Sequence, residues 1–174
     1  MIEGILLQVE GLRKYFTVKR GFPSPLSLTV KAVDDVSFDV RKCESLGIVG
    51  ESGCGKSTVG RAILRLVEPD AGRVLFHSKD ILSLDRTRMQ ELRRKMQIIF
   101  QDPYSSLNPR RKIAKTLAEP LQVHRLGTSR EIKETIDRII EDVGLQPETL
   151  DKFPHEFSGG QRQRIAIARA LIFQ

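Results

Sequence analysis

The chain has 174 residues, 40% of them apolar and 29% charged, which excludes disordered and collagen-like classes and suits a soluble globular domain with a core. The net charge of +7 admits nucleic acid, anionic head groups or a phosphate-rich ligand. Clusters such as Arg93-Arg94-Lys95 and Arg110-Arg111-Lys112 are, however, scattered and barely interleaved with aromatics, the pattern of solvated faces.

No apolar run approaches the ~20 residues of a membrane-spanning helix. The start, "MIEGILLQVEGLRK", lacks a basic segment followed by a long apolar stretch and a cleavage site, so no secretion signal is read. Cys43 and Cys54, without a pairing pattern, suit a reducing compartment. Together these place the protein in the cytoplasm, with any membrane role supplied by a partner.

In chain order, "ILLQVEGL" and "VSFDV" have period-two apolar spacing and read as half-buried strands. Between them "KRGFPSPLSLTV", with one glycine and two prolines, reads as a loop or hairpin. "ESLGIVG" is a short apolar strand entering glycines. "KSTVGRAILRLVEPDAG" then places Val59, Ala62, Ile63 and Leu66 on one helical face, with Pro69 and Gly72 ending the helix. "RVLF" and "MQIIF" read as further strands, and "DPYSSLNPR" as a loop. Thereafter helices dominate. Thr128 and Glu131 have capping-box spacing ahead of Ile132, Ile136, Ile139 and Val143, with Gly144 closing that helix. His77, His124 and His155 have no metal-ligand spacing and read as surface or packing residues.

"GESGCGKST", residues Gly50, Glu51, Ser52, Gly53, Cys54, Gly55, Lys56, Ser57 and Thr58, fits G-x-x-x-x-G-K-[ST] in full, between a predicted strand and a predicted helix. The chemistry explains the residue types. The glycines let the backbone turn tightly and aim N–H groups at phosphate oxygens, and the helix start adds its positive dipole end. Lys56 then reaches the β- and γ-phosphates, and the Ser57 hydroxyl is placed to ligate Mg²⁺. Kinases, GTPases, helicases and transport ATPases all use this loop, so alone it leaves the class open.

At the far end, "FSGGQRQRIAIARAL" resembles the signature of ATP-binding cassette (ABC) proteins, LSGGQ, with Phe157 in place of the usual leucine. Ser158 reads as an N-cap, and Gly159-Gly160 leave backbone amides bare, so this helix start is a second anion site. The resemblance implies that Ser158, Gly159, Gly160 and Gln161 grip the γ-phosphate of ATP held by an opposite subunit, in a head-to-tail dimer. It also implies that Gln101 contacts Mg²⁺ and the attacking water and links the nucleotide site to membrane subunits. From "LRKYF" it implies that an aromatic, Phe16 by its spacing from Lys14, stacks on adenine.

"QDPYSSLNPR", "VGESGCGKST" and "KAVDDVSFDV" look like the ATPase subunits of oligopeptide and dipeptide importers, a group with nickel and glutathione relatives. The implied fold is α/β, of the P-loop NTPase kind. It has a RecA-like core with an N-terminal antiparallel β subdomain over about 1–101, and a Q-loop and helical signature subdomain over about 102–174. The implied function is the ATP-binding and ATP-hydrolysing subunit of a peptide importer, peripheral on the cytoplasmic face of the membrane. Its partners would be transmembrane permease subunits, a second ATPase subunit and, indirectly, a periplasmic or lipid-anchored substrate-binding protein, with no nucleic acid.

In the family, a Walker B strand ending in Asp-Glu follows the signature helix shortly, and a later loop supplies a histidine. The sequence ends at Gln174 before them, so the chain is expected to be a fragment that binds ATP but lacks the catalytic carboxylate. The alternatives are a soluble ABC-type ATPase of the DNA-repair or chromosome class, favoured by the basic charge, and a non-catalytic nucleotide-binding module.

Overall fold

The computed structural model describes residues 4–20, 26–102 and 106–173. The chain forms two compact units, Met1–Gln90 and Glu91–Gln174. The middle of the expected 19–30 connection and the centre of "DPYSSLNPR" lie outside the described residues.

The first unit is built on a long hairpin. Strand β1 (Ile5–Arg20) pairs antiparallel with β2 (Leu26–Arg41), from Ile5↔Arg41 to Arg20↔Leu26. The apolar alternation read in "VSFDV" is visible here, since Val36, Phe38 and Val40 are half-buried while Ser37 and Asp39 are exposed. On the other edge of β1 lies β3 (Ala71–Phe76), followed by the short β4 (Lys79–Asp80), in the sheet order β2-β1-β3-β4. Helix α1 (Lys56–Ile63) buries Val59, Ala62 and Ile63, and α2 (Arg86–Arg93) buries Met89. With Val9, Leu12, Val33, Val74, Phe76 and Ile81 these supply the buried apolar side chains of this unit.

Three sequence expectations are corrected. Helix α1 ends at Ile63, not at Pro69. Arg65 takes the left-handed conformation (φ 52°), and the Leu66 N–H donates back to the Arg61 carbonyl at 2.8 Å, a helix-stop arrangement that usually takes glycine. The arginine holds that conformation through its guanidinium, which donates to the Leu84 carbonyl at 2.6 Å and to Glu68 at 2.9 Å. Leu66 consequently leaves the apolar face and is exposed.

"ESLGIVG" and "MQIIF" are not strands either. A strand is defined by its ladder, and neither segment has a ladder partner among the described residues. Their apolar side chains Leu46, Ile48, Val49 and Ile99 are exposed.

The second unit is helical: α3 (Ile113–Val123), α4 (Ser129–Asp142) and α5 (Gly159–Leu171), with short 3₁₀ turns at Pro147–Asp151 and Pro154–Glu156. The expected capping box opens α4, with the Glu131 N–H donating to Thr128 Oγ1 and the Thr128 N–H donating to the Glu131 carboxylate. That N–H, with the Thr128 hydroxyl, holds the Glu131 carboxyl below its usual range. Gly144 closes the helix in the left-handed region (φ 71°), its N–H on the Glu141 carbonyl and that of Leu145 on the Ile140 carbonyl. The core joins Ile113, Leu117 and Leu121 of α3 to Ile136, Ile139 and Ile140 of α4 and Ile165, Ala168 and Ile172 from α5 onward. Among the described residues no helix is long and apolar enough to cross a membrane.

Candidate functional site: the glycine loop and the signature helix

The loop of residues 50–58 turns into the N-terminus of α1. Gly55 caps the helix in the left-handed region (φ 97°, ψ 0°), and its carbonyl accepts the N–H groups of Thr58 (2.9 Å) and Val59 (3.0 Å). Glycine is required there twice over. A Cβ on Gly55 would stand 1.9 Å from the Ala32 carbonyl oxygen of β2, in a backbone conformation that side chains disfavour. Similarly, a Cβ on Gly50 would meet Cys54 Sγ at 2.7 Å.

Lys56, the first residue of α1, folds back across the loop. Its ammonium donates to the carbonyls of Gly50 (2.7 Å) and Glu51 (2.6 Å) and lies 3.5 Å from Cys54 Sγ. The first N–H groups of a helix have no carbonyl four residues back, so the Lys56 and Ser57 amides add to the positive character of this end. A cation and helix-start amides gathered at an exposed glycine loop form a receptor for a polyanion.

Phe16 lies in the same unit, on β1. Gly55 packs against Ala32, which sits between Lys31, paired with Tyr15, and Val33, paired with Lys14. The stretch carrying Phe16 is thus the strand opposite the point where α1 begins. Phe16 is 40% exposed, with Lys14 Nζ 5.5 Å from its ring centroid. Tyr15 is turned to other work: its hydroxyl meets Asp34 at 2.5 Å, and Lys31 lies over its ring. The bond to Asp34 raises the Tyr15 pKa and holds Asp34 below its usual range.

In the second unit, Ser158 caps α5. Its hydroxyl accepts from the Gln161 N–H at 3.3 Å, and its own N–H donates to Gln161 Oε1 at 3.0 Å. Gln161 thus helps to hold the helix start through its Oε1 and its backbone N–H. Gly159 and Gly160 are exposed, with nothing within 4 Å of where a Cβ would be. Phe157, 4% exposed, anchors this exposed turn in the helical core. The buried Arg162 guanidinium donates to the Phe157 carbonyl. Arg164 donates to the carbonyls of Val143 and Gly144 at the end of α4 (3.1 and 3.2 Å), and Arg169 to the Ser106 carbonyl (2.5 Å). Gln101, also in this unit, is exposed in a bend after the unpaired "QIIF" segment.

Three arrangements were missed from sequence: the use of Tyr15, the Arg65 helix stop and the contact of Lys14 with Phe16. Only the last had a signal, since residues two apart on a strand share a face. The histidines pack as expected, His124 edge-on to Phe173 and His155 stacked on Phe153. No group of three or more His, Cys, Asp or Glu among the described residues could hold a metal ion.

Cys54 reports on the loop. Both cysteines are exposed, but only Cys54 lies beside the Lys56 ammonium, which attracts anionic reagents. Iodoacetate is expected to label Cys54 faster than Cys43, and Mg-ATP to slow only the former. Mass spectrometry of the labelled peptides checks this; equal rates that ignore nucleotide would contradict it.

Comparison with known proteins bears on both motifs. Residues 33–174 match the family model described as ABC transporter. The chain is 52% identical over 168 residues to the oligopeptide transport ATP-binding protein OppF of Bacillus subtilis (strain 168), covering 95% of this chain and 53% of that protein. It is 49% identical over 166 residues to the glutathione import ATP-binding protein GsiA of Salmonella paratyphi A, covering 95% of this chain and 27% of that protein. Among solved structures, the post-hydrolysis dimer of the ATP-binding cassette MJ0796 bound to ADP and Pi superposes with a TM-score of 0.78 at 28% identity. That match covers 95% of this chain and 69% of the other. The chain spans about half the length of the oligopeptide relative.

Proposed function

Because this chain belongs to the ABC transporter family and has the fold of its ATP-binding cassettes, we propose that the protein is the ATP-binding subunit of a peptide importer. The observation that carries this is the glycine loop, with Lys56 drawn across it and α1 starting from it. The two carbonyls that now hold the Lys56 ammonium are neutral acceptors. Phosphate oxygens replace them with anionic acceptors, which add charge–charge attraction to the hydrogen bonds that the ammonium already makes. The amides at the start of α1 bind the same oxygens, and Phe16 stacks on the adenine.

The residues present fit Mg²⁺ as well: the exposed Ser57 hydroxyl, one position after Lys56 at the start of α1, is a hard oxygen donor that would hold it. Gln101 is assigned to the same ion by its motif position. Bound Mg²⁺ neutralises charge that develops on the β- and γ-phosphates. Gly159 and Gly160 present bare amides at the helix start that Ser158 caps, and with Ser158 they are suited to the γ-phosphate of a nucleotide on a second subunit. In the whole protein, nucleotide-driven closure of two such subunits and ATP hydrolysis are coupled to permease subunits. The protein then lies on the cytoplasmic face of the membrane, and a substrate-binding protein delivers the cargo. OppF is named for oligopeptides, which makes peptides the cargo proposed here.

The test is affinity purification of the whole protein from its native membranes, with ATP-dependent uptake of a labelled oligopeptide by vesicles. Co-purification of permease subunits and uptake lost on removing ATP are expected. Recovery of DNA in place of membrane subunits would move the protein to the soluble DNA-repair or chromosome class of ABC ATPases.

A further inference from the structure

Asp70 stands just before β3, where the ladder between β1 and β3 runs out at Arg13↔Ala71. Its backbone N–H donates to the Arg13 carbonyl at 2.8 Å. Its carboxylate accepts the Tyr15 N–H at 2.6 Å and the Lys14 ammonium at 3.0 Å. Asp70 therefore clamps residues 13–15 of β1, the stretch in which the pairing with β2 is irregular on both sides of Lys14. The Tyr15 N–H and, after it, Lys14 hold the Asp70 carboxyl below its usual range, so it is ionised at neutral pH.

The Lys14 side chain is only 15% exposed, and its Nζ lies over the Phe16 ring. A phenyl ring has two faces. The ammonium lies over one, and Phe16 as a residue is 40% exposed. A cation on one face also draws on the negative quadrupole of the ring, which eases stacking of an electron-rich purine on the other.

We propose that Lys14, held by Asp70, is a positioning residue for the nucleotide base: it packs one face of Phe16 and leaves the opposite face as the platform for the purine. The proposal rests on the reading of Phe16 as the base-stacking residue. Asp70 follows the turn after α1, so the carboxylate also ties the base platform on β1 to the chain leaving the phosphate-binding helix. Base and triphosphate contacts are then held in register.

The test compares ATP with inorganic tripolyphosphate, which engages the glycine loop but carries no base. Affinities are measured by calorimetry for the unmodified chain and for Lys14→Met, Lys14→Arg, Asp70→Asn, Phe16→Ala and the Lys14→Met/Phe16→Ala double variant. Lys14→Met and Asp70→Asn are expected to weaken ATP ~2–5-fold, the scale of an exposed cation–π contact. Tripolyphosphate affinity stays unchanged, Lys14→Arg restores ATP binding, and Lys14→Met adds nothing in the Phe16→Ala background. Tripolyphosphate doubles as the folding control, because a collapsed loop loses both ligands. Parallel losses for ATP and tripolyphosphate, or a Lys14→Met effect that persists without Phe16, would overturn the proposal by making Lys14 a general charge or a scaffold. An ATP-to-tripolyphosphate ratio untouched by Phe16→Ala alone would instead remove the base-stacking reading, and the proposal with it.

Discussion

Gly55→Ala is expected to abolish measurable nucleotide binding while Gly60→Ala, five residues on, preserves it. The methyl added at Gly55 starts 1.9 Å from the Ala32 carbonyl oxygen, where ordinary contact begins near 3.4 Å, so the loop or β2 must retreat by the difference. The residue must also keep a φ of 97°, a further ~1–2 kcal/mol for any side chain. That retreat takes the loop out of the arrangement in which Lys56 and the first amides of α1 converge. Gly60 lies inside α1, has open space around it, and gains ~0.5–1 kcal/mol of helix stability as alanine. Calorimetric titration with Mg-ATP and thermal melts on both variants check the contrast. Equal binding by the two would mean that the Gly55 contact with β2 has no part in forming the loop.

Ile165→Ala is the second large effect, and it acts on the signature helix from below. Ile165 is fully buried and belongs to the same apolar cluster as Leu117 and Ile140. Removing its outer carbons destabilises the helical unit by about 2–5 kcal/mol, against about 0.5–1.5 kcal/mol for Ile165→Val. Denaturant midpoints at unchanged slope measure both. Because Phe157 anchors the Ser158 cap in the same cluster, the loss reaches the turn that carries Gly159 and Gly160. A cost for the alanine variant no larger than for the valine variant would contradict this packing.

What could be read from sequence was what local chemistry decides. The Thr128–Glu131 box, the Ser158 cap, the helix-closing Gly144 and the glycine loop before α1 each depend on residues a few positions apart, and each forms. What depends on distant partners was not legible. "ESLGIVG" and "MQIIF" have the composition of strands, yet composition cannot supply a neighbour to complete a ladder. The end of α1 was misplaced because Pro69 and Gly72 are strong local stop signals, whereas the actual stop has a left-handed Arg65 whose guanidinium donates to the distant Leu84 carbonyl. The site followed the same rule. Residues 50–58 and 158–161 are contiguous motifs, while the hold of Asp70 on Lys14 and Tyr15 spans more than fifty positions.

The central claim is that this chain binds nucleotide through the glycine loop with Lys56 as its cation. The most direct measurement is calorimetric titration of Mg-ATP into the unmodified chain and into Lys56→Ala, with circular dichroism to show that the two fold alike. Removing one partner of a hydrogen-bonded charge pair typically costs about 2–5 kcal/mol, so a single saturable site should weaken by ~30-fold or more in the variant. Equal affinity of the two proteins for Mg-ATP, or no binding by the unmodified chain, would contradict the assignment.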